Sequence, residues 1–308
     1  MQSFQLRLLG NVELYDEGRA VTVGPAKRRA VLAALSLEPN QAVSLDQLAA
    51  AAWAGSPPRS AVANLRTHAA SLRRILGGRL QAVPGGYRLR VEDSEVDVHE
   101  FLRLAHDGRA ALGAGAARAA VLPLSTALGL WQGTTAGRGL PGGTFLDARF
   151  ASLDQQRQEA VEDLIEARLA LAEHGAVLPV LRQHLARHPL RERAWGQLML
   201  AQYRAGDAAA ALAAYHDARD ALRDQLGVDP GPELTTLQHA ILKRDPALSP
   251  PAPEFAYAVI AARDGAPAGN SHPDAADLVR RAEELAAQLA TFAAVMRAAS
   301  PQAAPARR

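Results

Sequence analysis

Residues 56 to 91, SPPRSAVANLRTHAASLRRILGGRLQAVPGGYRLRV, constrain the fold more than any other stretch, because they read as one amphipathic helix followed by a β-hairpin with a basic tip. At roughly 100° per residue, Val62, Leu65, Ala69, Leu72 and Leu76 form an apolar stripe, and Ser60, Asn64, Thr67, Ser71 and Arg74 form a polar stripe opposite. The apolar stripe needs a core. The polar stripe, edged by Arg59, Arg66 and Arg73, carries short hydrogen-bonding side chains and guanidinium groups, the chemistry that suits base edges and phosphates. An ordinary solvated helix surface has the same look, so the context of the helix decides between the two.

That context is a motif. FQLRLL alternates Phe4, Leu6 and Leu8, NVELY follows Gly10, and AVTV follows a turn at Asp16 to Gly18, which predicts a small antiparallel sheet. A helix with Val31, Leu32, Leu35 and Leu37 on its apolar side follows and is stopped by Pro39 and Asn40. A second starts at Ser44, where S-L-D-Q makes a capping box with Gln47, and ends near Trp53 and Gly55. The third is the helix above, read over 57 to 76 with Pro57 and Pro58 tolerated in its first turn. RLQAV, the turn Pro84-Gly85-Gly86 and YRLRV complete a winged helix-turn-helix, with Tyr87, Leu89 and Val91 on one face of the last strand and Arg88 and Arg90 on the other.

Charge follows the motif. Residues 1 to 90 hold 12 Lys+Arg against 5 Asp+Glu, a balance of +7, whereas residues 99 to 248 hold 16 against 17. A polyanion would meet the N-terminal third. The 308 residues contain no cysteine, which excludes disulfides and thiolate zinc sites, and no apolar run approaches the ~20 residues that span a bilayer. The N-terminus has no export signature either, so a cytoplasmic, nucleoid-associated protein with no membrane partner is expected.

From Val98 to Leu248 the pattern is helical. LALAEHGAVLPVL (169 to 181) and MLAQYRAGDAAAAL (199 to 212) share a glycine-centred helix-turn-helix layout, with Gly175 and Gly206 placed as equivalents and AALGAGAARAAVL as a weaker earlier copy. Helical pairs at a spacing in the low thirties predict a tetratricopeptide-like array. The expected fold class is therefore mainly α: an N-terminal winged helix-turn-helix with small β-sheets, then an all-α repeat domain. The expected divisions are 1–97, 98–248 and a remainder, 249–308, after the Pro-rich DPALSPPAPE. That remainder reads as one strand (EFAYAVIAARDG), an amphipathic helix over 274 to 299 with Leu278, Leu285, Leu289, Phe292 and Met296 on its stripe, and a disordered tail.

In order along the chain stand F-x-L-R-L-L-G, K-R-R-A-V-L-A-A-L with E-P-N, A-x-W-x-G, S-A-x-x-x-L-R-T-H-x-x-x-L-R-R-x-L, G-Y-R-L and V-D. Then come A-L-x-L-W-Q-G (127 to 133), H-P-L-R-E-R-A-W (188 to 195), L-x-x-A-Q-Y-R-A-G-D-A-A-x-A-L (198 to 212) and L-G-V-D-P-G-P-E-L (226 to 234). Over residues 4 to 248 this layout resembles the Streptomyces antibiotic regulatory protein family, activators of secondary-metabolite gene clusters. The resemblance implies an OmpR-type winged helix joined to a bacterial transcriptional activation domain. It implies binding to direct repeats overlapping the upstream promoter element, and recruitment of RNA polymerase holoenzyme, partly through its sigma factor, by a homodimer formed on DNA. By position it puts the recognition helix at 57 to 76, the wing tip at 84 to 88, and Lys27, Arg28 and Arg29 near the DNA backbone. Larger relatives add a nucleotide-hydrolysing domain; here neither Lys27 nor Lys243 sits in a G-x-x-x-x-G-K-[ST] context, so no ATP control is expected.

The DNA-binding set read from the sequence is Lys27, Arg28, Arg29, Ser60, Asn64, Arg66, Thr67, His68, Ser71, Arg73, Arg74, Gly85 and Arg88. Lys27, Arg28 and Arg29 also read as a solvated charge run, and His68, at the border of the apolar side, also reads as a packing residue. Trp53, Trp131 and Trp195 read as core anchors. His184 and His188, four apart on a helix, have metal-ligand spacing but no third ligand in reach, so structural roles are expected and no metal or cofactor. With no G-x-S-x-G, no H-E-x-x-H and no thiol, an enzyme is not expected. A second reading is a regulator gated by a small molecule or a partner protein, sensed by the helical domain and the 249–308 extension.

Overall fold

A computed structural model describes residues 4–249. The strand, amphipathic helix and tail expected within 249–308 lie outside the described residues, apart from Ser249. The described chain forms two compact units, one of residues 4–106 with 126–160, the other of residues 107–125 with 161–249.

In the first unit, β1 (Gln5–Arg7), β2 (Glu13–Asp16) and β3 (Arg19–Val21) form the expected antiparallel sheet, paired in sequence order. Alternation decides which side is covered: Leu6 and Leu14, register partners, are both buried. α1 (Ala26–Ser36), α2 (Leu45–Ala52) and α3 (Ala61–Leu76) pack on one another, with Val31, Leu32, Leu35, Leu48, Leu65 and Leu72 all buried between them. α2 starts on the full capping box: Ser44 Oγ accepts from Gln47 N, and Gln47 Oε1 accepts from Ser44 N. β4 (Ala42–Ser44) joins β5 (Leu80–Val83) and β6 (Gly86–Leu89) in a second sheet of order β4-β6-β5, so β6 is the central strand. The strand β4 was not expected. Three residues are too few to show a period, and they are extended because they pair with β6, where Ala42 opposes Arg88 and Ser44 opposes Gly86.

The activation-type motifs also serve this unit. The Asp97 carboxylate accepts from Leu8 N (2.8 Å) and Leu9 N (3.0 Å), fixing the end of β1. Burial pushes that carboxyl up to about 6 against the opposing pull of these two amides. Gln132 N donates to Leu9 O (2.7 Å), and Trp131 packs edge-on to Phe101, with the Arg157 guanidinium 4.6 Å from the indole centroid.

In the second unit, α7 (His174–Arg187), α8 (Glu192–Arg204), α9 (Ala208–Leu226) and α10 (Pro232–Lys243) pack in succession, and Glu162 in the C-terminal part of α6 (Phe145–Ala170) is hydrogen-bonded to His184 of α7 and Gln197 of α8. α4 (Asp97–Gly113) and α5 (Ala117–Gly129) precede them as the earlier helical pair. The turn equivalence read from Gly175 and Gly206 is corrected: Gly175 lies inside α7, and the left-handed residue of that turn is Ala172 (φ 63°), matching Gly206 (φ 91°). These two are 34 positions apart, as are the helix starts His174 and Ala208, the spacing of a tetratricopeptide repeat.

The motif H-P-L-R-E-R-A-W is the clamp of this array. Glu162, fully buried on α6, accepts from Arg191 Nε (2.6 Å) and Nη2 (2.8 Å) and pairs with His184 Nε2 at 3.2 Å. Burial works to raise this carboxyl, yet the hydrogen bonds from His184 and Arg191 outweigh it and hold it at about 2. Arg193 bridges Asp163 (2.6 Å) and Glu166, and the Trp195 indole donates to Pro189 O. No described helix is long and apolar enough to cross a membrane.

Candidate DNA-binding surface

α3 begins at Ala61, four residues later than the proline-containing turn suggested. Ser56 and Pro57 each precede a proline, which biases both away from helical geometry, and Ala61 N donates to Pro58 O in a turn that leads into the helix. Ser60 is the N-cap residue. Its hydroxyl makes no capping bond and accepts instead from Asn64 Nδ2 at 3.3 Å.

Leu65, Ala69, Leu72 and Leu76 are buried as their stripe requires, but Val62 is 41% exposed and is a correction to that stripe. The buried arc of α3 is narrower than the apolar arc of its sequence, which leaves Val62 on the solvent side with Asn64, Arg66, Thr67, Arg73 and Arg74. α3 carries no acidic residue. Thr67 donates to Ala63 O and Arg74 to Ser71 Oγ, weak local bonds that hold both side chains over the helix face without burying them. A helix of this length is ~24 Å long and ~10–12 Å across, which matches the width of the major groove.

The remaining cations separate by environment. Lys27 is exposed, its ammonium 4.9 Å from the Trp53 ring centroid. Arg28 donates to Val23 O, and Arg29 to Gly24 O (2.6 Å) and Gly139 O (2.8 Å), so both guanidinium groups hold backbone together. Arg73 is exposed at its tip while its Nε donates to Leu80 O, tying α3 to β5. His68 is half-buried; burial, then the charges of Arg28 and Lys27, lower its pKa, which places the start of α1 electrostatically beside the middle of α3. His68 is thus shifted towards its neutral form.

At the wing, Gly85 takes φ 75° at the exposed tip and its carbonyl accepts from Leu45 N. The tip is shorter than the expected 84 to 88, because β6 already starts at Gly86. Arg88 stands on that central strand and is half-buried, whereas Arg90, exposed, donates to Gln81. His184 and His188, the pair at metal-ligand spacing, have rings 5.2 Å apart, with His184 engaged by Glu162.

Residues 96–242 match the model of the family described as bacterial transcriptional activator domain. The chain is 34% identical over 262 residues to the regulatory protein DnrI of Streptomyces peucetius, covering 81% of this chain and 96% of DnrI. It is 36% identical over 253 residues to the regulatory protein AfsR of Streptomyces griseus, 82% of this chain but only 26% of AfsR. The solved structure of Mycobacterium tuberculosis EmbR in complex with low affinity phosphopeptide is similar with a TM-score of 0.76 and 32% identity, over 85% of this chain and 70% of that one. With DnrI matched along nearly its full length and the activator-domain model matched beside it, the chain belongs to the Streptomyces antibiotic regulatory protein family of transcriptional activators.

Proposed function

We propose that this activator binds promoter DNA sequence-specifically through α3, as side-by-side protomers on a direct repeat near the upstream promoter element of a secondary-metabolite gene cluster. Residues 1–97 serve as the DNA-binding module and 98–248 as the activation module, which recruits RNA polymerase holoenzyme with its sigma factor. The carrying observation is the exposed, acid-free face of α3, where Ser60, Asn64, Thr67 and Arg74 offer donors and acceptors to base edges. Val62 adds an apolar group of the kind that contacts the thymine methyl. Lys27, Arg59, Arg66 and the tip of Arg73 supply phosphate contacts, the backbone of Gly85 and the side chain of Arg88 lie at the wing, and Arg28, Arg29 and His68 act by holding the motif in shape. The protein works in the cytoplasm, at the nucleoid, by recruitment and without chemistry.

The test is binding of the purified protein to promoter fragments from its own gene neighbourhood, beside a random duplex and a variant with Asn64, Thr67 and Arg74 all changed to Ala. Protection of a direct repeat, lost in the variant, with transcription by added holoenzyme raised on that fragment, is the expected result. Equal binding to both duplexes by wild type and variant alike rejects base readout by α3.

A further inference from the structure

The second unit contains an open cleft of about 850 Å³ lined by residues of α6, α8 and α10 and by Ser249. That is within the size of small-molecule sites, which run to ~1,000 Å³. Its walls are apolar: Leu169, Gly196, Leu200, Leu234 and Leu237 line it. One polar group in it lacks what its chemistry requires. Arg204, half-buried, donates Nε to Leu248 O and Nη1 to Leu169 O, and no carboxylate lies within 4.0 Å of it among the described residues. Burial lowers its pKa, the mark of a cation held without a counter-charge.

The other end of the cavity has the opposite character. Glu166 is paired with Arg193, Glu192 accepts from Gly231 N at 2.6 Å, and Glu233 sits in the first turn of α10. Arg193 and Arg204 are separated along α8 by about 16 Å. The cavity is therefore an apolar slot with one unneutralised cation at the C-terminal end of α8 and carboxylates at the far end.

We propose that this slot binds an elongated amphiphilic carboxylate, with an apolar body against Leu200, Leu234 and Leu237 and the anionic head on Arg204. Binding is a property of the helical unit itself. Its consequence for transcription, gating by a small molecule, rests on the activator reading above.

The test is isothermal titration calorimetry of the full chain without DNA, using decanoate and decyltrimethylammonium below their micelle-forming concentrations. Decanoate is expected to bind at least about tenfold more tightly than the cationic chain of equal length, since the head then meets Arg204. Leu200→Trp, which fills the slot, abolishes binding, and Arg204→Gln removes the preference for the carboxylate. No heat from decanoate, equal affinity for the two charge types, or binding unchanged in Leu200→Trp overturns the proposal. Should Arg204→Gln unfold by circular dichroism, the wild-type charge preference and Leu200→Trp decide. Because no DNA is present, these outcomes stand whether or not promoter binding is found.

Discussion

If solvent exposure marks the cations that meet phosphate, the salt dependence of DNA binding follows from a count of them. On and beside α3 of one protomer, Lys27, Arg59, Arg66 and Arg73 are the exposed cations assigned to phosphate, whereas Arg28 and Arg29 are half-buried and held by backbone carbonyls. Four phosphate contacts give a slope of log K against log salt of about −3.6, so a fourfold rise in salt weakens binding to a single half-site about 150-fold. If Arg74 adds a fifth phosphate contact, the wild-type slope is about −4.5, Arg74→Ala brings it to about −3.6, and specific and random duplexes lose affinity alike. If it is bidentate on a guanine, the loss is about 1–3 kcal/mol on the specific duplex alone. Arg29→Ala should leave the slope unchanged. The assay is fluorescence anisotropy of one half-site duplex from low to physiological salt. A wild-type slope shallower than about −2, or an Arg29→Ala slope reduced as much as that of Arg74→Ala, refutes the assignment of DNA-facing cations by exposure.

Arg191→Ala strands the fully buried Glu162 and should destabilise the second unit by about 3–5 kcal/mol, read as lost hydrogen-exchange protection over α6 to α8; Glu162→Gln combined with Arg191→Met should cost less. Gly86→Val should break the β4-β6-β5 sheet and abolish DNA binding, because even a Cβ there falls 2.0 Å from Val43 O; normal melting and binding by this variant would contradict the packing. Acid should loosen the second unit early. Burial, then the charges of His184, Arg191 and Arg187, push His188 down to about 4 from 6.5, so the unfolded chain takes up a proton that the folded one refuses. Stability therefore falls as pH drops from 6.5 towards 4, and Glu162 adds a further loss from 4.5 towards 2. His188→Gln should flatten the first of these phases in urea titrations followed by circular dichroism. Val62→Ala should weaken binding only to sites with thymine at one position, detected by substituting uracil for thymine along the half-site.

The elements with a clear period were legible in the sequence, and so was the capping box at Ser44, because these depend on neighbours three or four residues away. What escaped depends on distant partners. β4 exists through β6, and the start of α3 is set by a turn through Pro58. The turn glycine was misplaced because Ala172 tolerates a left-handed conformation that composition assigns to Gly175. Val62 shows the limit of a helical wheel, which gives the direction of an apolar arc but not the width of the groove that receives it. The buried charges of α6 escaped for the same reason: Glu162 and Asp163 are held by Arg191 and Arg193 of H-P-L-R-E-R-A-W, about thirty residues away.

The arginines show why charge balance and binding site are different quantities. The +7 balance of residues 1 to 90 points towards a polyanion, yet part of it is spent within the fold: Arg28 and Arg29 hold backbone carbonyls, and Arg73 gives its Nε to Leu80 O. In residues 99 to 248 the near-neutral sum hides the opposite case, where Arg191 and Arg193 are matched to specific carboxylates and Arg204 to none. A guanidinium offers five donors in a fixed fork, so it can bridge carbonyls as readily as it meets a phosphate or a carboxylate. What separates the roles is the acceptor within reach. Arg74 has only a weak bond to Ser71 and faces solvent; Arg204 has two carbonyls and faces an apolar slot. The first geometry leaves charge for DNA, and the second leaves charge for a ligand that brings its own anion.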